Sequence, residues 1–117
     1  MKHEMRLHDG PFKLIVAGTK TIEMRLYDEK RQEIKVGDEI EFTNRVSGDK
    51  QLVKVVNLHR FNSFDELYNN FDKVLLGYGE NEGANPNDMS QYYSLEDLEK
   101  YGVVGIEIVL IWCKWNL

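Results

Sequence analysis

Three charged side chains crowd one short stretch of the chain, Gly18-Thr19-Lys20-Thr21-Ile22-Glu23-Met24-Arg25. Glu23 and Arg25 stand two apart, so on a strand they point to the same face. Lys20 falls in the turn just before it. Two cations and a carboxylate meeting near one rim of a sheet suit an anionic or strongly polar ligand. Arg25 offers a planar fork that matches phosphate or carboxylate geometry. Lys20 offers a point charge. If desolvated or set beside another cation its pKa falls, and it then serves as a base or nucleophile. Glu23 can accept hydrogen bonds from a base or sugar, or orient Lys20. The plain alternative is a solvated strand face with a weak ion pair.

These residues need elements to hold them. His3–Leu7 reads as a short strand. Asp9 is placed to cap a helix through Val16, with Pro11 in its first turn, where a missing N–H costs nothing. Phe12, Ile15 and Val16 recur at helical spacing, and Gly18 ends the helix in the position that favours glycine. The period then switches to two: Thr21, Glu23, Arg25 and Tyr27 alternate with Ile22, Met24 and Leu26, which predicts a half-buried strand. Asp28–Gln32 is a charged connection, Val36-Gly37-Asp38 a turn, and Glu39–Thr43 a strand. Ser47-Gly48-Asp49 signals a hairpin, and Leu52–Phe61 is a longer strand. Ser63 and Glu66 form a capping box for a helix over Phe64–Asn70. Its Phe64, Leu67, Tyr68 and Phe71 follow the spacing of a core-facing stripe.

Phe71–Leu76 fits either helix or strand. Gly77–Asp88 is loop-like and long for a passive connection, as a lid or binding loop would be. Met89–Tyr101 reads as helix, with a restart available at Ser94, and Gly102 stops it. Val103–Trp112 is the closing strand. Strands and helices do not alternate regularly, so the expected class is α+β: a mostly antiparallel curved sheet or small barrel flanked by helices.

Composition narrows the function classes. At 117 residues with 42% apolar side chains, one domain spanning 1–117 with one core is expected. No apolar run approaches the ~20 residues that cross a bilayer. The first nine residues are too charged for a signal peptide, so no membrane partner and a cytoplasmic location are expected. The single cysteine, Cys113, cannot form an internal disulfide and reads as core. Trp112 and Trp115 fit a sheet edge or a dimer contact equally well. His3, His8 and His59 are scattered, so no metal site is expected, and nothing calls for a cofactor. The net charge of −5 is unevenly spread: residues 1–60 hold 12 Lys and Arg against 10 Asp and Glu, whereas residues 61–117 hold 3 against 10. A local positive patch is therefore possible in the first half despite the acidic total.

The stretch Gly18–Arg25 resembles the G-x-K-x-x-E-x-R signature of ASCH domains, members of the PUA-like superfamily, at all four fixed positions. The preceding Pro11–Val16 helix and the Val36-Gly37-Asp38 turn before a strand are also similar to that family, and the resemblance extends over the whole chain. It implies a small PUA-like β-barrel of mostly antiparallel strands with flanking helices. It also implies a cleft lined by the signature residues and proposed to bind RNA or a nucleotide-like small molecule. In that picture Lys20 and Arg25 meet phosphates or base edges and Glu23 organises them. Single-stranded RNA also calls for aromatic platforms. Tyr78, Tyr92 and Tyr93 lie in or beside the long loop, with at least one of the last two expected in the core, and Arg6 would extend the positive patch.

An alternative of a different class is a small hydrolase using Lys20 and Glu23. One ASCH-like branch resembles an amidohydrolase acting on acetylated cytidine with Lys, Thr and Glu. Lys20 matches its lysine, but Glu23 stands where its threonine would be, and Thr21 is expected to face elsewhere. Glu66, Glu80 and Glu82 are the candidates for its glutamate. General acid–base cleavage of a phosphodiester, a ribonuclease reaction, remains open to Lys20 and Glu23. Gly77-Tyr78-Gly79 lacks the lysine and context of a phosphate loop. A third reading is a protein-interaction module using the acidic second half.

Overall fold

The computed structural model describes residues 1–111, so the expectations for Trp112, Cys113 and Trp115 lie outside the described residues. Among the described residues, five strands and six short helices follow in the order β1 (Lys2–Leu7), α1 (Asp9–Val16), β2 (Ile22–Leu26), α2 (Glu29–Gln32), β3 (Glu39–Asn44), β4 (Lys50–Phe61), α3 (Phe64–Asn70), α4 (Lys73–Leu76), α5 (Asn87–Ser90), α6 (Leu95–Tyr101) and β5 (Val103–Leu110). The strands form one sheet in the order β1-β3-β4-β5-β2. All neighbours are antiparallel except β1 and β3, which run parallel and pair Leu7 with Asn44. A parallel pair needs a crossover, and α1, β2 and α2 supply it.

The sheet curls. Laid flat, five strands at ~4.8 Å spacing would hold the edge strands roughly 19 Å apart. Yet Arg25 on edge strand β2 donates directly to the carbonyl of Arg6 on edge strand β1, at 3.2 Å. The two edges therefore face one another across a narrow opening, and the fold is a half-barrel. The register of β4 against β5 shifts between Val55 and Asn57, an irregularity of the kind that bends a sheet.

Apolar side chains fill both sides of the sheet. Ile40, Phe42, Val53, Val55, Val104, Ile106 and Ile108 form the inner core, closed by Phe12 and Ile15 of α1. On the outer side Ile22, Met24 and Val103 pack with Phe64, Leu67 and Leu76 of α3 and α4. This explains why Val103–Ile106 is a continuous buried run rather than an alternation. Helix α3 comes close to β5 at Gly105, where an added Cβ would lie 3.1 Å from Ile22 and 3.4 Å from Leu67.

Several local expectations change. Asp9 does not cap α1: His8 is the N-cap, and Asp9 accepts from Asn44 at 3.0 Å. The stretch after β2 is a short helix rather than a connection, with Asp28 accepting from the Arg31 N–H. Phe71–Leu76 resolves into α4, capped by Asp72 and stopped by Gly77 at φ +109°. The expected Met89–Tyr101 helix is two: α5 ends at Ser90, and α6 restarts from a Ser94 cap. Strand β2 is not half-buried, since Ile22, Glu23, Met24 and Leu26 are all buried.

Candidate functional site

After α1, Gly18 takes a left-handed φ of +84° and the N–H groups of Thr19 and Lys20 both turn back to Leu14 O. That turn sends the Lys20 side chain inward, and only 5% of the residue is exposed. Its ammonium donates to Ile22 O and Leu76 O, each at 2.8 Å, and lies 3.4 Å from Glu23 Oε1. Two N–H donors thus meet backbone carbonyls, and the ammonium is ion-paired with Glu23. Leu76 O belongs to the last turn of α4, where helix carbonyls lack intrahelical partners and favour a cation. Gly77 lets the lysine pass, because a Cβ there would sit 3.1 Å from Lys20 Cδ.

Glu23 and Arg25 share the face of β2 opposite the one carrying Ile22 and Met24. Arg25 Nε and one terminal nitrogen approach Glu23 Oε2 at 2.9 and 2.8 Å, while Oε1 faces Lys20. Burial works to raise the Glu23 carboxyl, but the charges of Lys20 and Arg25 and hydrogen bonds from both outweigh it, leaving the carboxyl below its ordinary value. Burial lowers Lys20; the charge and hydrogen bond of Glu23 oppose this without cancelling it. For Arg25 the pull of Glu23 exceeds the burial effect and the net shift is upward. With all three charged the cluster carries one net positive charge.

The triad borders a cavity of about 500 Å³ between the two edges of the sheet. One wall is the end of β1 and the start of α1, with Arg6 and His8, joined by Arg45 from the turn after β3. Arg6 and Arg45 are exposed, and neither guanidinium has a hydrogen-bond partner among the described residues. The other wall is α3, the end of α4, the long loop, α5 and the turn after it, with Tyr68, Tyr78, Glu82, Asp88 and Tyr92. Here Tyr78 Oη lies 2.7 Å from Asp88 Oδ2 and 2.8 Å from Tyr68 Oη. A carboxylate only accepts, so Tyr78 donates to Asp88 and Tyr68 donates to Tyr78. Burial, with the hydrogen bonds to Tyr68 and Asp88, drives the Tyr78 phenol well above its ordinary pKa.

The six residues expected at the site, Lys20, Glu23, Arg25, Arg6, Tyr78 and Tyr92, all line this one cavity. Their states differ from expectation. Lys20 is committed to protein acceptors rather than waiting at the rim. Tyr92 is 62% exposed, whereas Tyr93 stacks on Phe64 with ring centres 6.0 Å apart. Thr21 binds Leu75 O and Ile108 N–H through its backbone and does not line the cavity. Of Glu66, Glu80 and Glu82, only Glu82 lines it, while Glu66 caps α3 by accepting from the Asn62 N–H. Arg45 and Asp88 were not legible as site residues. Arg45 reaches the wall because β1 and β3 pair in parallel, and Asp88 because its partner Tyr78 fixes the loop. Elsewhere His3 pairs with Asp38 and His59 with Glu107, each at 2.8 Å. Among the described residues no three His, Cys, Asp or Glu side chains gather as a metal site.

Comparisons with known proteins agree with this geometry at the level of the fold. The family model of the ASCH domain matches residues 5–111. The crystal structure of hypothetical protein PH0355 superposes with a TM-score of 0.79 at 38% identity, over 95% of this chain and 100% of that one. The solution NMR structure of protein PF0455 from Pyrococcus furiosus superposes with a TM-score of 0.70 at 36% identity, over 95% of this chain and 98% of that one. No curated protein matches the chain. Among the described residues no helix is long and apolar enough to cross a membrane.

Proposed function

Since the chain belongs to the ASCH-domain family, we propose that the cavity beside Lys20, Glu23 and Arg25 binds one nucleotide unit, of a single-stranded RNA or of a small nucleotide-like molecule. The observation that carries this reading is the make-up of one cavity: a net-cationic triad, with Lys20 and Glu23 buried and Arg25 half-buried, and two exposed arginines face a wall of tyrosines. The volume of about 500 Å³ lies within the range of small-ligand sites, ~300–1,000 Å³. It suits a single extruded nucleotide better than a helical stem. Arginines supply affinity through phosphate. A tyrosine face adds roughly 1–3 kcal/mol per stacked base with little sequence demand.

The triad itself acts as a rigid floor. Lys20 donates to two backbone carbonyls and is ion-paired with Glu23, and both oxygens of Glu23 face cations, so neither is poised as a free base or nucleophile. That weighs against the hydrolase reading, although Glu82 in the opposite wall gives it a carboxylate in the cavity. Binding of a short single-stranded RNA, measured by fluorescence anisotropy from 50 to 200 mM salt, tests the proposal. Two arginine–phosphate contacts predict a log–log slope near −1.4, from ~0.7 per contact. No binding at 50 mM salt overturns it. Mass spectrometry of the same RNA and of acylated nucleosides after incubation tests the hydrolase reading, for which an absence of product is expected.

A further inference from the structure

Antiparallel pairing of β2 with β5 decides which way each backbone group of β2 points. The Tyr27 N–H donates to Gly102 O and the Ile108 N–H to Thr21 O, so the odd-numbered residues of β2 exchange hydrogen bonds with β5. The N–H and C=O of Ile22, Met24 and Leu26 therefore point the other way, to the free edge that borders the cavity. Lys20 Nζ takes Ile22 O at 2.8 Å. The facing edge, β1, is joined to β2 through the Arg25 side chain on Arg6 O. Met24 stands opposite Gly105, packs its side chain in the outer core and lines the cavity. Its N–H and C=O have no partner among the described residues. Buried backbone groups are almost always paired. Met24 is only 4% exposed, so both groups must be satisfied from the cavity, by solvent or by a ligand.

Inside a ladder, a residue in this register bonds its opposite number through N–H and C=O at once. A flat ligand with an acceptor and a donor side by side can take the place of that missing strand residue. Every nucleobase carries such a pair on its Watson–Crick edge: O4 and N3–H of uracil, N3 and the amino group of cytosine, N1 and the amino group of adenine, O6 and N1–H of guanine. Resting on the proposal that this cavity binds a nucleotide unit, we infer that the backbone N–H and C=O of Met24 take the Watson–Crick edge of the bound base. The phosphate is left to the exposed Arg6 and Arg45. All four bases present the pair, so this contact does not rank them. It selects the pairing state instead: a base already paired in a duplex has the same edge occupied and is excluded.

Calorimetric titration of the intact protein with UMP, N3-methyl-UMP and C5-methyl-UMP, at about 50 mM salt, tests the contact with one methyl group moved between two edges of the same base. UMP and C5-methyl-UMP should bind alike. N3-methyl-UMP should bind about tenfold or more weakly, since its donor is gone and the Met24 carbonyl is left unpaired against a methyl group. In amide NMR spectra of the protein, the Met24 N–H resonance should move downfield with UMP and stay in place with N3-methyl-UMP. Equal affinity for UMP and N3-methyl-UMP overturns the edge contact and leaves the nucleotide site standing. Equal losses for the two methylated ligands overturn it as well, because they mark a tight fit all round rather than a read edge. A Met24 resonance that does not move in saturating UMP overturns the assignment to that residue. Failure of UMP to bind overturns the site reading itself.

Discussion

Replacing Glu23 with Gln removes the only negative charge from the triad while keeping its shape. Lys20 at 3.4 Å and Arg25 at 2.8 Å each lose an attraction of roughly 5–6 kcal/mol, at an effective dielectric constant of about 20 and before desolvation is counted. Both cations were desolvated to make these contacts, so much of that gross figure offsets their burial. Removing one partner of a buried pair nonetheless leaves the penalty unopposed, which gives an expected loss of about 3–5 kcal/mol. That is a large share of the ~5–15 kcal/mol holding a small domain together. The loss should depend on pH in a fixed direction. Lys20 already sits below its ordinary value of 10.5, chiefly through burial, and Glu23 is what holds it up. Without Glu23 its folded pKa falls further, so across the window between that value and 10.5 the unfolded chain binds more protons than the folded one. Stability of the variant then rises with pH, by up to ~1.4 kcal/mol per unit, and rises faster than that of the unaltered protein. Urea unfolding of both proteins at pH 7 and pH 9.5 measures this. A difference below about 1 kcal/mol at pH 7, or one that does not shrink by pH 9.5, would refute the idea that Glu23 compensates buried Lys20 and half-buried Arg25.

Three further outcomes are expected. Gly77→Ala forces a side chain onto a backbone at φ +109° and against Lys20 Cδ at 3.1 Å. It should cost about 1–3 kcal/mol in chemical denaturation and weaken nucleotide binding, because Lys20 carries Glu23 with it. Asp38 is held down to a pKa of about 2, first by its hydrogen bond with His3 and then by the Lys35 N–H. Its contribution is complete above the ordinary carboxyl value of 3.8 and is lost as pH falls through about 2. Asp38→Asn should therefore be less stable than the parent at pH 6 by a margin that closes between pH 4 and pH 2, read from thermal melts. Tyr92→Ala should leave the melting temperature nearly unchanged and lower nucleotide affinity, whereas Tyr93→Ala should lower the melting temperature by removing the ring stacked on Phe64.

Local chemistry made much of this molecule readable from its sequence. Gly18 had to end α1, Ser63 and Ser94 had to start helices, and alternation had to put Glu23 and Arg25 on one face. What alternation could not convey is what that face meets. A polar face on a strand normally signals water, but here β2 is an edge of a curled sheet and its polar face turns into the opening. The acceptor that saturates Lys20, Leu76 O, lies 56 residues away, and no spacing rule reaches that far. The same holds for Arg45, which joins the site through a parallel pairing of β1 with β3 that the strand pattern does not encode. The short helices α2 and α4 were hidden for another reason: four residues hold too few apolar positions to show a period, and only their caps, Asp28 and Asp72, betray them.

The Lys20–Glu23–Arg25 spacing thus has a structural job that precedes any ligand. Arg25 ties β2 to β1 through Arg6 O, and Lys20 ties β2 to the end of α4 through Leu76 O. Glu23 neutralises the nearer half of each cation. Together they hold the two sheet edges and one helix at the distance that makes the cavity. A residue saturated in this way is a poor choice for a phosphate grip, because an anion would have to displace Glu23 or a backbone carbonyl. Among the described residues, the exposed guanidiniums of Arg6 and Arg45 face no such competition. The division of labour follows: the buried charges set the walls, and the exposed ones meet the ligand. It carries a sharp consequence for mutagenesis. Loss of binding in Lys20 or Arg25 variants should track loss of stability, whereas loss of binding in Arg6 or Arg45 variants should occur at unchanged stability.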